Sequence, residues 1–230
     1  MGFDYFQGYF FCKPDMLVGK DIESSHHFLV SIYAEVMKEG FSYQKVEMYF
    51  EQDVGLTYKL LRFVNSSLFE RRQEITSIKQ AIVFLGEIQV RKFVCLIVTA
   101  QLNPDKPLAL MHTTIIRARM CELVSRVMGL TKVSDAAFLT GLFSTIDAIL
   151  DRPMAAIMES LPLSKEIKEA LVDRDGSLAE CLDVTVAFMA GEWETVFAFT
   201  SKYEVPPQYL ITSCNNAMLW NKAYQSMARA

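Results

Sequence analysis

Histidine is scarce in this chain. Its 230 residues include three, at positions 26, 27 and 112. A metal that activates water must be held by several converging ligands with one position left open, so histidine alone cannot supply such a centre here. The five cysteines are Cys12, Cys95, Cys121, Cys181 and Cys214. They are odd in number, contain no CxxC pair and mostly sit in apolar helical runs, so they read as buried thiols in a reducing cytoplasm. There is no GxSxG elbow, no P-loop and no GxGxxG, which removes the usual sequence signals for a serine hydrolase or a nucleotide-phosphate loop. There is no basic surplus either. The net charge is −4 with both signs mixed along the chain, which argues against nucleic acid as the main partner. The longest apolar run, 93–100, falls short of the roughly 20 residues that span a bilayer. No basic segment precedes an apolar one at the N-terminus as a secretory signal requires. A cytoplasmic chain with no membrane partner is the expectation. Repeats, heptads and low-complexity tracts are absent as well.

What is present is apolar. Hydrophobic residues make up 51% of the chain, enough for one well-buried domain, or one plus a fragment. The chain is organised around residues 60–98. Leu56, Leu60, Phe63 and Val64 form one stripe, Ile78, Ala81, Ile82 and Leu85 a second, and Val90, Phe93, Val94 and Ile97 a third. All lie at the spacings of three, four and seven that mark half-buried helices. Asn65-Ser66-Ser67 ends the first helix with side chains that compete for backbone hydrogen bonds. Thr76 or Ser77 stands where an N-cap belongs, and Gly86 where a glycine closes a helix. Further helices are predicted over 24–38, 108–128, 135–150, 164–172, 178–190, 193–202 and 208–227. The long helix at 108–128 turns Ile115, Ala118 and Cys121 inward. Of the late aromatics, spacing assigns Trp193 and Phe197 to the core and leaves Phe199 as the candidate for an exposed or interface position.

Asn65-Ser66, the run Ile75-Thr76-Ser77-Ile78, Gln80-Ala81-Ile82 and Leu85-Gly86 together resemble the signature of HDOD domains, over roughly residues 25–200. These are output domains of bacterial signalling proteins, related to HD and HD-GYP phosphohydrolases. The resemblance implies an all-α, HD-superfamily-like multi-helix domain that lacks the metal site of those relatives and needs no cofactor. His112 falls where the first HD ligand would stand. The positions matching the His-Asp pair are Ser144 and Thr145, with Asp147 two residues on. On this reading His112 is a structural hydrogen-bonding residue, His26 and His27 are surface or linker residues, and no residue is assigned as catalytic, metal-binding or cofactor-binding. Arg71 and Arg72 read as a solvated mixed-charge loop. Arg117 and Arg119 read as surface pairs with Glu122.

The first residues differ from the rest. Aromatics alternating from Phe3 to Phe11 predict a strand over 1–12, stopped at Lys13-Pro14-Asp15. Gln7-Gly8-Tyr9 followed by Lys13-Pro14 resembles the last barrel strand of EAL domains, the cyclic di-GMP phosphodiesterases. The resemblances together imply an EAL remnant and linker at 1–19, an HDOD-like domain at 20–205, and a C-terminal helix at 206–230 packed on it or extending from it. They imply a signal-transduction module that is not itself an enzyme and whose partners are the upstream EAL domain or other signalling proteins. A homodimer stays open. Two alternatives remain: part of a cyclic di-GMP phosphodiesterase whose barrel lies upstream, or a residual HD-type phosphohydrolase.

Overall fold

The computed structural model describes residues 27–70, 73–101 and 105–228. The predicted strand at 1–12, with Gln7 and Cys12, lies outside them, as do His26, Arg71 and Arg72. Among the described residues the fold is all helix: α1 His27–Val36, α2 Tyr43–Glu51, α3 Val54–Val64, α4 Ile78–Gln101, α5 Leu108–Val127, α6 Ser134–Phe143, α7 Ile146–Leu150, α8 Met154–Ser160, α9 Lys165–Val172, α10 Gly176–Ala190, α11 Trp193–Lys202 and α12 Gln208–Ala228.

Local chemistry sets the helix ends. Ser42 caps α2 by accepting from Lys45 N, and Asp53 caps α3 by accepting from Leu56 N at 2.9 Å. Asn65 does more than end α3. Its Nδ2 donates to the carbonyls of Leu61 at 2.8 Å and Ile75 at 2.7 Å, and its Oδ1 accepts from Ile75 N at 3.0 Å. One side chain thus ties both ends of the connection between α3 and α4. Ser77 is the cap of α4, accepting from Gln80 N at 3.2 Å. Gly86, at φ 70 and ψ 172, interrupts α4, a backbone position that only glycine adopts freely.

The apolar stripes on α3 and α4 face inward as their spacing predicts. Leu60, Val64, Ala81 and Val90 are fully buried. Yet the centre of the fold is α5, which packs most extensively on α6 and also on α12 and α10. Ile115, Ala118 and Cys121 contribute to the larger of two apolar cores. Met120 and Val124 contribute to a smaller one, shared with α10, α11 and α12. Complete burial of a side chain such as Ile115 stabilises by about 1.5–3 kcal/mol.

The segment Thr131–Leu150 has a mean hydropathy of 1.4, enough in length and composition to cross a membrane. It is core instead, since 67% of its apolar window is buried. The single helix expected at 135–150 is divided between α6 and α7, with the break at Ser144 and Thr145. On α11 the aromatics are reversed from expectation. Phe199 is buried, whereas Trp193 and Phe197 are exposed at 53% and 57%.

α5 and α6 approach closely at Gly141. A Cβ built there would lie 2.7 Å from both Ala118 Cα and Arg117 O. Both are backbone atoms that cannot rotate away, so the missing side chain is what brings the end of α6 onto α5.

Candidate functional site

That approach assembles a polar seam from residues singled out in the sequence. Thr114, fully buried on α5, donates from Oγ1 to Leu110 O at 2.8 Å. Its Oγ1 also lies 2.6 Å from Thr145 Oγ1. With the Thr114 proton committed to Leu110, Thr145 is the donor between the two hydroxyls. One turn along α5, Arg117 donates to Ser144 Oγ at 3.1 Å, and Ser144 donates to Gly141 O at 2.7 Å. Asp147 Oδ1 accepts from Ala148 N at 2.8 Å. Burial holds the Asp147 carboxyl above the usual aspartate value, opposed by backbone hydrogen bonds and by the Arg117 charge. His112 is half-buried near the start of the same helix.

The seam therefore gathers Thr114, Arg117, Ser144 and Thr145 where α5 meets the break between α6 and α7. The donor set does not fit a divalent ion. Its hydroxyls are neutral and already hydrogen-bonded, and no group of three or more His, Cys, Asp or Glu able to hold a metal occurs among the described residues. The described cysteines are all buried. Burial pushes Cys95 up to about 12 and Cys121 up to about 11, far from a reactive thiolate.

A second polar cluster lies on the C-terminal half of α5, and here the sequence misleads. Glu122 is fully buried and Arg117 is 5% exposed, so neither belongs to the expected surface pairs. Glu122 receives Arg119 at 2.7 Å, Arg126 at 2.7 Å and the buried Lys92 at 3.1 Å. Lys92 also reaches Asp135 at 2.8 Å and lies 5.3 Å from the centre of the Phe138 ring. Lys92 Nζ makes no aligned hydrogen bond, so charge and the ring face hold it. Lys92 and Asp135 escaped the sequence reading. Lys92 directly precedes an α4 run, Phe93 to Val98, that is apolar and buried around the whole helix. That was the available signal, because a lysine there has no solvent face to occupy.

The HDOD domain family matches residues 22–170. Over 195 residues the chain is 36% identical to the cyclic di-GMP phosphodiesterase CdgJ of Vibrio cholerae, covering 85% of this chain and 45% of that protein. It is 31% identical over 198 residues to the uncharacterized protein YuxH of Bacillus subtilis, covering 84% and 48%. The chain thus spans about half the length of the curated relatives it matches. The fold is similar to that of a crystal structure from Shewanella amazonensis, named as an inferred metal-dependent phosphohydrolase. The TM-score is 0.52 at 17% identity, over 89% of this chain and 93% of that one. These findings overturn the expectation of a protein that is not an enzyme. A relative 36% identical over 85% of this chain bears the name of an enzyme. With the family matched across most of the chain and its signature asparagine seen tying α3 to α4, the chain belongs to the HDOD family.

Proposed function

We propose that this chain is the HDOD part of a cyclic di-GMP phosphodiesterase, with hydrolysis on an EAL barrel that precedes it. The observation that carries this reading is the 36% identity to a protein named as such an enzyme, of which the chain spans 45%. The motif Gln7-Gly8-Tyr9 with Lys13-Pro14, similar to the last EAL strand, supports it. In this arrangement residues 1–19 finish the barrel and lead into the helical domain at 20–205, and the C-terminal helix at 206–230 completes it. The helical domain tunes the barrel through its surface, and the whole works in the cytoplasm.

The test is to extend the reading frame upstream of Met1, express the intact protein, and measure cyclic di-GMP hydrolysis with magnesium or manganese. Turnover is expected, and it should be lost when the barrel carboxylates are replaced. A reading frame without those carboxylates overturns the proposal. So does turnover that stays with the 230-residue chain and falls in His112→Ala, which would place the chemistry on the helical domain.

A further inference from the structure

The loop tied by Asn65 forms one wall of an open cleft of about 800 Å³, whose other walls are α4, α5 and α12. Ser67 and Phe69 come from the loop, Gln89 from α4, Arg119 from α5, and Trp220 and Lys222 from α12. The volume falls in the range of small-molecule sites, roughly 300–1,000 Å³. Its chemistry is one-sided. Among the described residues the lining includes two cations, Arg119 and Lys222, and no carboxylate.

Arg119 is not fully used within the fold. A terminal nitrogen meets Glu122 at 2.7 Å, while its buried Nε has no hydrogen-bond partner. The cluster behind it pairs three cations (Lys92, Arg119 and Arg126) with two carboxylates, Glu122 and Asp135. One positive charge is left in excess beside the cleft. The rings are fixed rather than free. Trp220 stands edge-on to Phe63 at 6.2 Å and to Phe138 at 5.9 Å, and Phe69 is edge-on to Phe63 at 5.1 Å. Held rings contact a planar ligand at little entropic cost.

We infer that this cleft binds a nucleotide-sized anion, with its phosphate on Arg119 and Lys222 and its planar ring against Phe69 and Trp220. Gln89 and Ser67 supply hydrogen bonds that orient the ring. Arginine suits phosphate because its planar fork donates two parallel bonds. The inference concerns this chain's own residues and stands apart from where hydrolysis takes place, so it can fail while the phosphodiesterase reading survives, and the reverse.

GMP is the probe, titrated into the 230-residue chain carrying Trp193→Phe, which leaves Trp220 as the only tryptophan. Saturable quenching of Trp220 is expected, with one GMP per chain by calorimetry. Inorganic phosphate should compete, at higher concentration than GMP. Lys222→Glu lies at the exposed end of the cleft and should weaken binding about tenfold or more, without changing the melting temperature. Arg119→Gln should weaken it at least as much, in a chain shown by its melting curve to be folded. The inference is overturned by no saturable GMP signal at millimolar concentration, by unchanged affinity in Lys222→Glu, or by phosphate binding as tightly as GMP.

Discussion

The two halves of α5 solve the same problem differently. Both carry polar side chains into the interior of an all-helical domain. The N-terminal half does so mainly with hydroxyls, beside the single buried cation Arg117: Thr114, Ser144 and Thr145 are each satisfied by a neighbour within 3.1 Å. The C-terminal half does so with ions around a carboxylate that has no solvent exposure. A buried hydroxyl with partners costs little, whereas a buried ion must be surrounded by opposite charge or it strongly destabilises the fold. The seam around Thr114 carries one buried cation, Arg117, and no buried carboxylate, so it is the electrostatically milder half of the helix. The half that reads in sequence as ordinary surface pairing holds the demanding arrangement.

The largest test of this difference is Glu122→Gln. The substitution keeps the shape and removes the charge that Lys92, Arg119 and Arg126 share. Breaking a buried ion pair from one side typically costs about 3–5 kcal/mol. For a chain of this size that corresponds to a fall in melting temperature on the order of 10 °C. Lys92→Met should cost less, because Glu122 keeps two arginines. Equal and small losses in both variants, measured by denaturant unfolding, would mean that water screens the cluster and that the two halves do not differ.

The next test falls on the seam. Gly141→Ala places a methyl 2.7 Å from two backbone atoms of α5, so the helices must separate. Overpacking of this kind costs about 1–3 kcal/mol. Separation should also part Thr114 from Thr145, loosening the break between α6 and α7. Amide exchange at Ile146 and Ala148 is the readout. A variant with unchanged stability and unchanged exchange would show that the close approach does not hold the seam together.

Much of this fold was legible in the sequence where periodicity and capping chemistry agreed. The stripes on α3 and α4, the Asn65 loop and the burial of Ile115 follow from spacing and local hydrogen bonding. What spacing could not separate was one helical face from another when both were apolar. On α11, Trp193 and Phe197 make one face, but Val196, Phe199, Thr200 and Tyr203 recur at the same period, and that second face is the one that packs on the smaller core. The same limit hid the Glu122 cluster. Its members come from α4, α5 and the start of α6, and an i, i+4 spacing with Arg126 looks identical on a surface helix and a central one. The break at Ser144 and Thr145 was also hidden, because neither residue is a strong helix breaker and tertiary packing divides α6 from α7.

The smallest expected effect separates the halves by pH. Asp147 sits at the edge of the hydroxyl seam, and burial raises its carboxyl above the ordinary value of 3.8. A carboxyl whose folded value exceeds its unfolded value holds its proton more tightly in the native state. The native state therefore binds more protons in the window just above pH 3.8, and the stability associated with this group falls as pH rises through that window. At neutral pH the charged form is a net cost to the fold. Asp147→Asn removes that cost and keeps an oxygen able to accept from Ala148 N, the bond now made at 2.8 Å. The variant should melt slightly higher than the parent at pH 7, and the difference should shrink on acidification towards pH 4. The outcome also bears on the seam, because the Arg117 charge opposes the effect of burial on this carboxyl. A variant that melts lower than the parent at pH 7 would mean that attraction to Arg117 outweighs burial, and the N-terminal half of α5 would then depend on charge as the C-terminal half does.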